Sequence, residues 1–143
     1  MTGRLTRRPG GPARLRALLE SGETTVAPGA FDPLAARLVE EAGFPAVYMT
    51  GFGTSAALLG RPDVGLLTMT EMAGNAGRIA ACVDIPVIAD ADTGYGNALN
   101  VIRTVGSYEA AGVAGITSLP SMWPHFLGAT WSSMWIPATP AAS

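Results

Sequence analysis

The 143-residue sequence has no lysine, a single cysteine and a single histidine. Because Cys82 is alone, the chain cannot form an internal disulfide or a cysteine zinc cluster, and such sparse use of cysteine is typical of a reducing cytoplasm. The formal net charge of −2 provides no basic surface for nucleic acid. No stretch is long and apolar enough to span a membrane. We therefore expect a cytoplasmic protein that binds neither nucleic acid nor membrane.

The first residues are rich in arginine, glycine and proline. The Arg7-Arg8 pair resembles a twin-arginine signal, but Arg14 and Arg16 interrupt the segment where its apolar region would follow. The composition therefore predicts a disordered arm over residues 1–11 and no targeting peptide.

Residues 12–116 alternate between strand and helix patterns. The expected strands are residues 24–27, 46–50, 86–89 and 113–116. The expected helices are residues 12–21, 33–41 and 97–111, and a further helix that starts at Thr68 or Thr70, has Glu71 in its first turn and runs to about residue 83. In the second of these helices, Asp32 is the expected N-cap, Pro33 the first helical residue, and Leu34, Leu38 and Val39 line one face. The glycine-containing segment 51–67 is interpreted as a long loop.

This alternation implies right-handed βαβ units and a parallel sheet. The spacing of the strands is that of a (β/α)₈ barrel, in which the active site lies at the carboxyl ends of the strands. A doubly wound sheet is the alternative, although the sequence has neither of the glycine-rich phosphate-binding motifs that such sheets carry after a strand. The predicted fold class is α/β, with about the first four strands of a (β/α)₈ TIM barrel followed by an irregular C-terminal tail.

Two aspartates follow the apolar strand that precedes Asp90. At positions i and i+2, Asp90 and Asp92 lie on the same side of the strand end, and paired carboxylates suit a hard divalent cation such as Mg²⁺. Gly94 and Gly96 allow a tight turn and close approach of a ligand to the backbone. A purely structural interpretation, with Asp92 as the cap of the next helix, stays open on spacing alone.

The composition changes after Glu109. Residues 110–143 contain no charged side chain, yet they hold all three tryptophans and the only histidine. No helical or strand period is visible from Thr117 onward, and an amphipathic helix would need a polar face that this segment does not supply. We therefore divide the chain into a disordered arm (1–11), a half-barrel domain (12–116) and an aberrant hydrophobic tail (117–143).

Three stretches together carry a resemblance to a known family. They are residues 47–53 (VYMTGFG), 59–65 (LGRPDVG) and 89–97 (ADADTGYGN). In this order and spacing, residues from about Leu15 to Ile116 closely resemble the N-terminal half of the isocitrate lyase/phosphoenolpyruvate mutase superfamily. That superfamily includes methylisocitrate lyases, oxaloacetate decarboxylases, phosphonopyruvate hydrolases and carboxyphosphonoenolpyruvate mutases.

The resemblance implies a (β/α)₈ barrel with Mg²⁺ or Mn²⁺ at its mouth, usually in a homotetramer. It implies that Asp63, Asp90 and Asp92 surround the metal. It also implies that the substrate, a small α-keto or hydroxy carboxylic acid, is bound by Tyr48, Thr50, Gly51, Phe52 and Asp90. The amides of Thr50, Gly51 and Phe52 would face its carboxylate, with Thr50 in place of the commoner serine. The implied chemistry makes or breaks a C–C or P–C bond beside a pyruvate-type enolate.

The sequence departs from the family after the fourth strand. Residues 117–121 stand where a His-Ile-Glu-Asp-Gln type of stretch usually follows, so Leu119 replaces the glutamate that supports the metal. The Lys-Lys-Cys-Gly-His loop of the lyases is also missing, and Cys82 is interpreted as a packed thiol. No catalytic acid or base is assigned.

Three functional hypotheses follow. The first is a Mg²⁺-dependent lyase, decarboxylase or mutase of this family. The second is a truncated and inactive fragment, produced by a frameshift or an early stop. The third is a half-barrel that binds ligand and closes its exposed surfaces by self-association without turnover.

Overall fold

The computed structural model describes residues 11–118 and 136–137. Five helices and five short strands lie in these residues. The helices are α1 (Gly11–Glu20), α2 (Pro33–Glu41), α3 (Gly51–Leu59), α4 (Met69–Cys82) and α5 (Ala98–Ala110). The strands are β1 (Gly29–Ala30), β2 (Val47–Met49), β3 (Val87–Asp90), β4 (Gly115–Thr117) and β5 (Ile136–Pro137).

The strands form one sheet in chain order, β1-β2-β3-β4-β5. The first four are parallel; for example, Tyr48 pairs with Ile88 and Asp90 with Thr117. Strands that follow one another in sequence and in space, each pair joined by helices, are the βα succession of part of a (β/α)₈ barrel. The predicted fold class is therefore confirmed.

Strand β4 also pairs on its far side. Gly115 and Ile116 are in register with Pro137 and Ile136 in an antiparallel ladder. The predicted half-barrel has no parallel fifth strand, so the far edge of its fourth strand is expected to be without a partner. The short antiparallel pairing corrects that expectation, since a strand edge offers its N–H and C=O groups to any extended segment that reaches it.

Three helices begin where local sequence places a cap. Asp32 Oδ1 accepts from the amide of Ala35 at 2.7 Å, with Pro33 as the first residue of α2. Thr68 and Glu71 form a reciprocal capping box at the start of α4. Asn97 and Asn100 form another at the start of α5. The predicted cap at Asp32 and the predicted helix starts at Thr68 and Asn97 are confirmed, because a cap depends on residues within one turn of each other.

Two predicted elements are wrong. The segment that we interpreted as a loop from Gly51 begins with α3, whose N-cap is Thr50. The first strand was expected at residues 24–27, but the ladder forms at Gly29–Ala30. Its position is set by the register with Tyr48 and Met49 of β2, and that long-range pairing is not encoded in the local propensity of residues 24–27.

The core lies between the sheet and helices α2, α4 and α5. Fully buried side chains include Met49 from β2, Ile79 from α4 and Tyr108 from α5. On α2 it is Ala36 that is buried, whereas Leu34 and Leu38 are 64% and 59% exposed. The expectation is thus wrong for these leucines, because α2 approaches the core through Ala36, whereas Val39 of the same predicted face does pack against the core.

Two predicted segments lie mostly outside the described residues. Of the predicted arm, residues 1–10 lie outside, and Gly11 is already the first residue of α1. Of the predicted tail, residues 119–135 and 138–143 lie outside. Within the described part of the chain, none of the helices has the length and apolar character that crossing a membrane requires.

Candidate functional site

Asp90 is the last residue of β3, and both of its carboxylate oxygens accept backbone hydrogen bonds. Oδ2 accepts from the amide of Gly51 at 3.2 Å and Oδ1 from the amide of Asp92 at 2.9 Å. The carboxylate therefore links the loop after β3 to the start of α3. Asp92 has a φ of +49°, a left-handed conformation that aspartate adopts more readily than most non-glycine residues.

The start of α3 approaches these carboxylates closely. The Thr50 hydroxyl caps the helix by accepting from the amide of Gly53 at 3.3 Å. A Cβ on Gly51 would lie 2.6 Å from Asp90 Oδ2 and 2.7 Å from Asp63 Oδ2. A side chain at this position would therefore force the two carboxylates apart. The positive end of the α3 dipole also faces them, which favours negative charge at this point.

Asp63 reaches the same place from the segment between α3 and α4. Together with Asp90 and Asp92 it lines a cavity of about 130 Å³. The complete lining consists of Gly51, Asp63, Gly65, Leu67, Met72, Asp90, Asp92 and Tyr95. The structure therefore brings together the three aspartates that the sequence singled out, on one side of the carboxyl ends of the strands.

The cavity is electrostatically negative. None of its lining residues is basic, whereas three are aspartates. Partial burial, and then repulsion by Asp90 and Asp92, raise the pKa of Asp63 above its ordinary value of 3.8. Three carboxylates around one small cavity, with no cationic side chain among its walls, are a donor set that a divalent cation would neutralise.

The carboxylates do not by themselves make a finished metal site. Within residues 11–118 and 136–137, no three histidine, cysteine, aspartate or glutamate side chains form a group that could hold a metal ion. Mg²⁺ is commonly bound through one or two carboxylates, with waters and substrate completing its shell. The donor chemistry of Asp63, Asp90 and Asp92 fits such an ion, and their assignment as ligands stays a prediction.

The residues predicted to bind substrate divide into two groups. Gly51 and Asp90 line the cavity. Thr50 and Phe52 do not: the amide of Thr50 donates to Ala30 O at 3.1 Å within the sheet, and Phe52 is 65% exposed. The expectation that the Thr50 amide faces the cavity is therefore wrong, because ladder pairing with β1 uses that amide.

Tyr48 lies between the sheet and the site. Its hydroxyl is 3.3 Å from Thr117 Oγ1 at the end of β4. Burial, and also the negative charge of Asp90, raise its pKa above 10.0. Tyr48 therefore stays neutral at physiological pH and acts as a hydrogen-bonding group beside the carboxylates, outside the lining of the cavity.

Several lining residues were not among the predicted site residues. Leu67 and Met72 supply an apolar wall from the segment before α4 and from α4 itself. Tyr95 supplies an aromatic wall and has a φ of +62°. The sequence could have indicated Tyr95 as a site residue, since it lies inside the stretch 89–97 that carries the family resemblance. Leu67 lies at the end of the segment that we interpreted as a loop and Met72 lies in a predicted helix, and no motif indicated a site at either position.

Comparison with known proteins agrees with this geometry. The family model described as phosphoenolpyruvate phosphomutase matches residues 15–118. The chain is 54% identical over 116 residues to 2,3-dimethylmalate lyase of Eubacterium barkeri, across 81% of this chain and 40% of that protein.

Solved structures are similar over the same region. Phosphoenolpyruvate phosphomutase from Streptomyces platensis subsp. rosaceus superposes with a TM-score of 0.73 at 50% identity, covering 76% of this chain and 38% of the other. A phosphonopyruvate hydrolase, solved as a complex with oxalate and Mg²⁺, gives a TM-score of 0.71 at 44% identity, with 74% and 37% covered.

The chain spans about two-fifths of the length of the relatives that it matches. The matched region contains the parallel sheet, the start of α3 and the three aspartates around the cavity. The family model extends over well more than half of the chain, and both relatives of known structure share the arrangement of its described residues. The chain therefore belongs to the phosphoenolpyruvate phosphomutase family, within the isocitrate lyase/phosphoenolpyruvate mutase superfamily.

Proposed function

We propose that this chain carries the metal-binding and carboxylate-binding part of a divalent-metal-dependent lyase or mutase. The proposed reaction makes or breaks a C–C or P–C bond beside a pyruvate-type enolate in a small α-keto or hydroxy acid. The observation that carries the proposal is the placing of Asp63, Asp90 and Asp92 around one cavity that has no basic lining residue. The relative solved with oxalate and Mg²⁺ supports the choice of ligand class.

In this proposal Asp90 and Asp92 hold Mg²⁺ or Mn²⁺ from the end of β3, and Asp63 acts from the segment before α4. When bound, the ion supplies Lewis-acid stabilisation of a developing enolate oxygen. Asp90 and Asp92 each have a second structural role. Asp90 fixes the start of α3 through Gly51, and Asp92 turns the loop after β3 through its left-handed backbone.

The remaining walls shape the space for the acid. Gly51 leaves room between two carboxylates where any side chain would collide with Asp63 and Asp90. Leu67, Met72 and Tyr95 add apolar and aromatic surface to the same cavity, which lowers the local polarity and strengthens electrostatic interactions there. The amide-rich start of α3 provides positive potential for an anionic substrate group.

Metal binding tests the proposal directly. Mn²⁺ affinity of the 143-residue chain is measured by electron paramagnetic resonance for wild type, Asp92→Asn and Asp63→Asn. Asparagine tolerates the left-handed φ of position 92, so that this variant removes charge without strain. We expect either variant to weaken binding by about tenfold or more, since affinity follows the number of charged ligands.

Glu109→Gln is the matched control, because Glu109 is an exposed carboxylate on α5 and does not line the cavity. Its Mn²⁺ affinity should equal that of wild type. A wild-type chain that binds no divalent cation would refute the proposal. Metal-dependent release of pyruvate from a panel of small α-keto and hydroxy acids then tests the reaction class.

A further inference from the structure

Three backbone carbonyls, at the last residue of β3 and in the loop after it, accept hydrogen bonds from hydroxyl groups outside this segment. Tyr108 donates to Asp90 O at 3.0 Å, Ser118 to Asp92 O at 3.1 Å and Thr104 to Gly94 O at 3.0 Å. Thr104 and Tyr108 lie one turn apart on α5 and are 2% and 1% exposed. The loop is thus held at alternate residues, and two of the three donors come from one buried helix face.

This loop needs external support because its backbone is unusual. Asp92 and Tyr95 have φ values of +49° and +62°, in the left-handed region that L-residues seldom occupy. Such conformations persist only where the surroundings over-determine them. The hydroxyl groups of Thr104 and Tyr108 contact the two ends of the segment 90–94, which contains Asp92. The loop also has two internal hydrogen bonds, from the Asp92 amide to Asp90 Oδ1 at 2.9 Å and from the Gly94 amide to Ala91 O at 2.8 Å, and the two hydroxyl groups add contacts from outside it.

Tyr108 also connects this support to the cavity. Its hydroxyl lies 3.4 Å from the hydroxyl of Tyr95, a cavity wall. Since Tyr108 gives its single proton to Asp90 O, Tyr95 is the donor between the two phenols. A continuous path of hydrogen bonds therefore runs from Tyr95 through Tyr108 to the backbone of Asp90.

We propose that Thr104 and Tyr108 are positioning residues, which hold the loop of residues 90–94 so that the Asp92 carboxylate faces the cavity. The inference rests on the proposed function, because it assigns these hydroxyl groups a role in divalent-metal affinity. Neither hydroxyl lines the cavity, so any effect on metal binding must act through the loop that they contact.

Two measurements on the full chain test this inference. The first is Mn²⁺ affinity, and the second is amide hydrogen exchange at Asp92 and Gly94 in the metal-free chain. The variants are Thr104→Val and Tyr108→Phe, which remove each hydroxyl and keep the shape of the side chain. Thr104→Ser restores the hydroxyl. Ser107→Ala is the control, because that α5 hydroxyl donates to Arg103 O and does not contact the loop.

We expect Thr104→Val and Tyr108→Phe each to weaken Mn²⁺ binding by about tenfold, as loss of a group that orients a metal ligand typically does. Exchange at Asp92 and Gly94 should rise, while exchange at Val47 and Met49 of the core strand stays unchanged. Thr104→Ser and Ser107→Ala should behave as wild type.

Wild-type affinity in both hydroxyl-free variants overturns the inference and leaves the proposed function standing. The inference is also overturned if amide exchange in these variants rises at Val47 and Met49 in addition to Asp92 and Gly94, because the hydroxyl groups would then support the whole fold. A wild-type chain without Mn²⁺ affinity refutes the proposed function. In that case, amide hydrogen exchange at Asp92 and Gly94 in the variants still tests whether the hydroxyl groups hold the loop.

Discussion

The amide of Gly51, the first residue of α3, donates a hydrogen bond to Oδ2 of Asp90, the last residue of β3, over 3.2 Å. This bond joins the ends of two neighbouring strands, because α3 begins directly after β2. It also places a helix N-terminus against a carboxylate, an arrangement that the helix dipole favours. Substitution of Gly51 or Asp90 should therefore affect the shape of the cavity more than the pairing of the strands.

Replacement of Gly51 by alanine should reduce Mn²⁺ affinity without unfolding the chain. The new Cβ would lie within 2.7 Å of oxygens of Asp63 and Asp90, so the two carboxylates must move apart. Gly74→Ala is the matched control, since a Cβ on Gly74 of α4 meets nothing within 4 Å. That control should bind Mn²⁺ normally and be more stable by about 0.5–1 kcal/mol. Equal affinity in Gly51→Ala would show that the close approach is unimportant.

Asp63 should destabilise the metal-free fold at neutral pH. Its pKa is raised on folding, so the folded chain holds the proton more tightly than the unfolded chain. Stability is therefore lost as pH rises above 3.8, through the interval up to the raised pKa. Asp63→Asn should unfold at higher denaturant concentration than wild type at neutral pH, and the difference should vanish below that interval. A constant difference across pH would contradict the assigned repulsion.

Divalent cations should stabilise the chain by binding only its folded form. At a free Mg²⁺ concentration of one hundred times its dissociation constant, the expected gain in unfolding free energy is about 2.7 kcal/mol. Asp92→Asn should lose most of this gain, and a chelator should remove it from wild type. The measurement is denaturant unfolding with and without Mg²⁺. A gain of equal size in Asp92→Asn would remove this residue from the site.

All three tyrosines of the chain should resist ionisation while it is folded. Burial raises the pKa of Tyr95 to about 12, and it also raises the pKa values of Tyr48 and Tyr108. Since the unfolded chain releases these protons nearer to 10.0, folding stability should fall as pH rises above that value. Tyrosinate absorbance should therefore appear together with loss of circular dichroism. Ionisation before unfolding would show that the phenols are accessible.

The chain by itself should associate in solution. Leu34 and Leu38 on α2 and Leu99 and Ile102 on α5 are 59–76% exposed, and burial of one such side chain contributes about 1.5–3 kcal/mol. We expect Leu34→Gln combined with Leu38→Gln to lower the sedimentation coefficient, while Glu41→Gln on the same helix leaves it unchanged. A monomeric wild type at all concentrations in analytical ultracentrifugation would contradict this expectation.

Local sequence determined the helices that carry their own caps. Three helix starts are indicated by neighbouring residues: Asp32 before Pro33, Thr68 with Glu71, and Asn97. They are predictable because the capping contacts join residues one turn apart. Helix α3 escaped prediction because its sequence, GFGTSAALL, has no charged residue and contains two glycines. It carries no amphipathic period by which a helix is recognised.

The sequence also determined where two of the carboxylates lie, since Asp90 and Asp92 follow an apolar strand at a spacing that puts both at its end. Only the tertiary structure decided which residues lie around these two carboxylates. Asp63 and Gly51 arrive from 27 and 39 residues away along the chain, and Thr104 and Tyr108 contact the loop from behind through α5. A strand end and a cap are encoded by neighbouring residues, whereas a cavity and its supporting hydroxyl groups depend on how distant elements pack, and no local period records that packing.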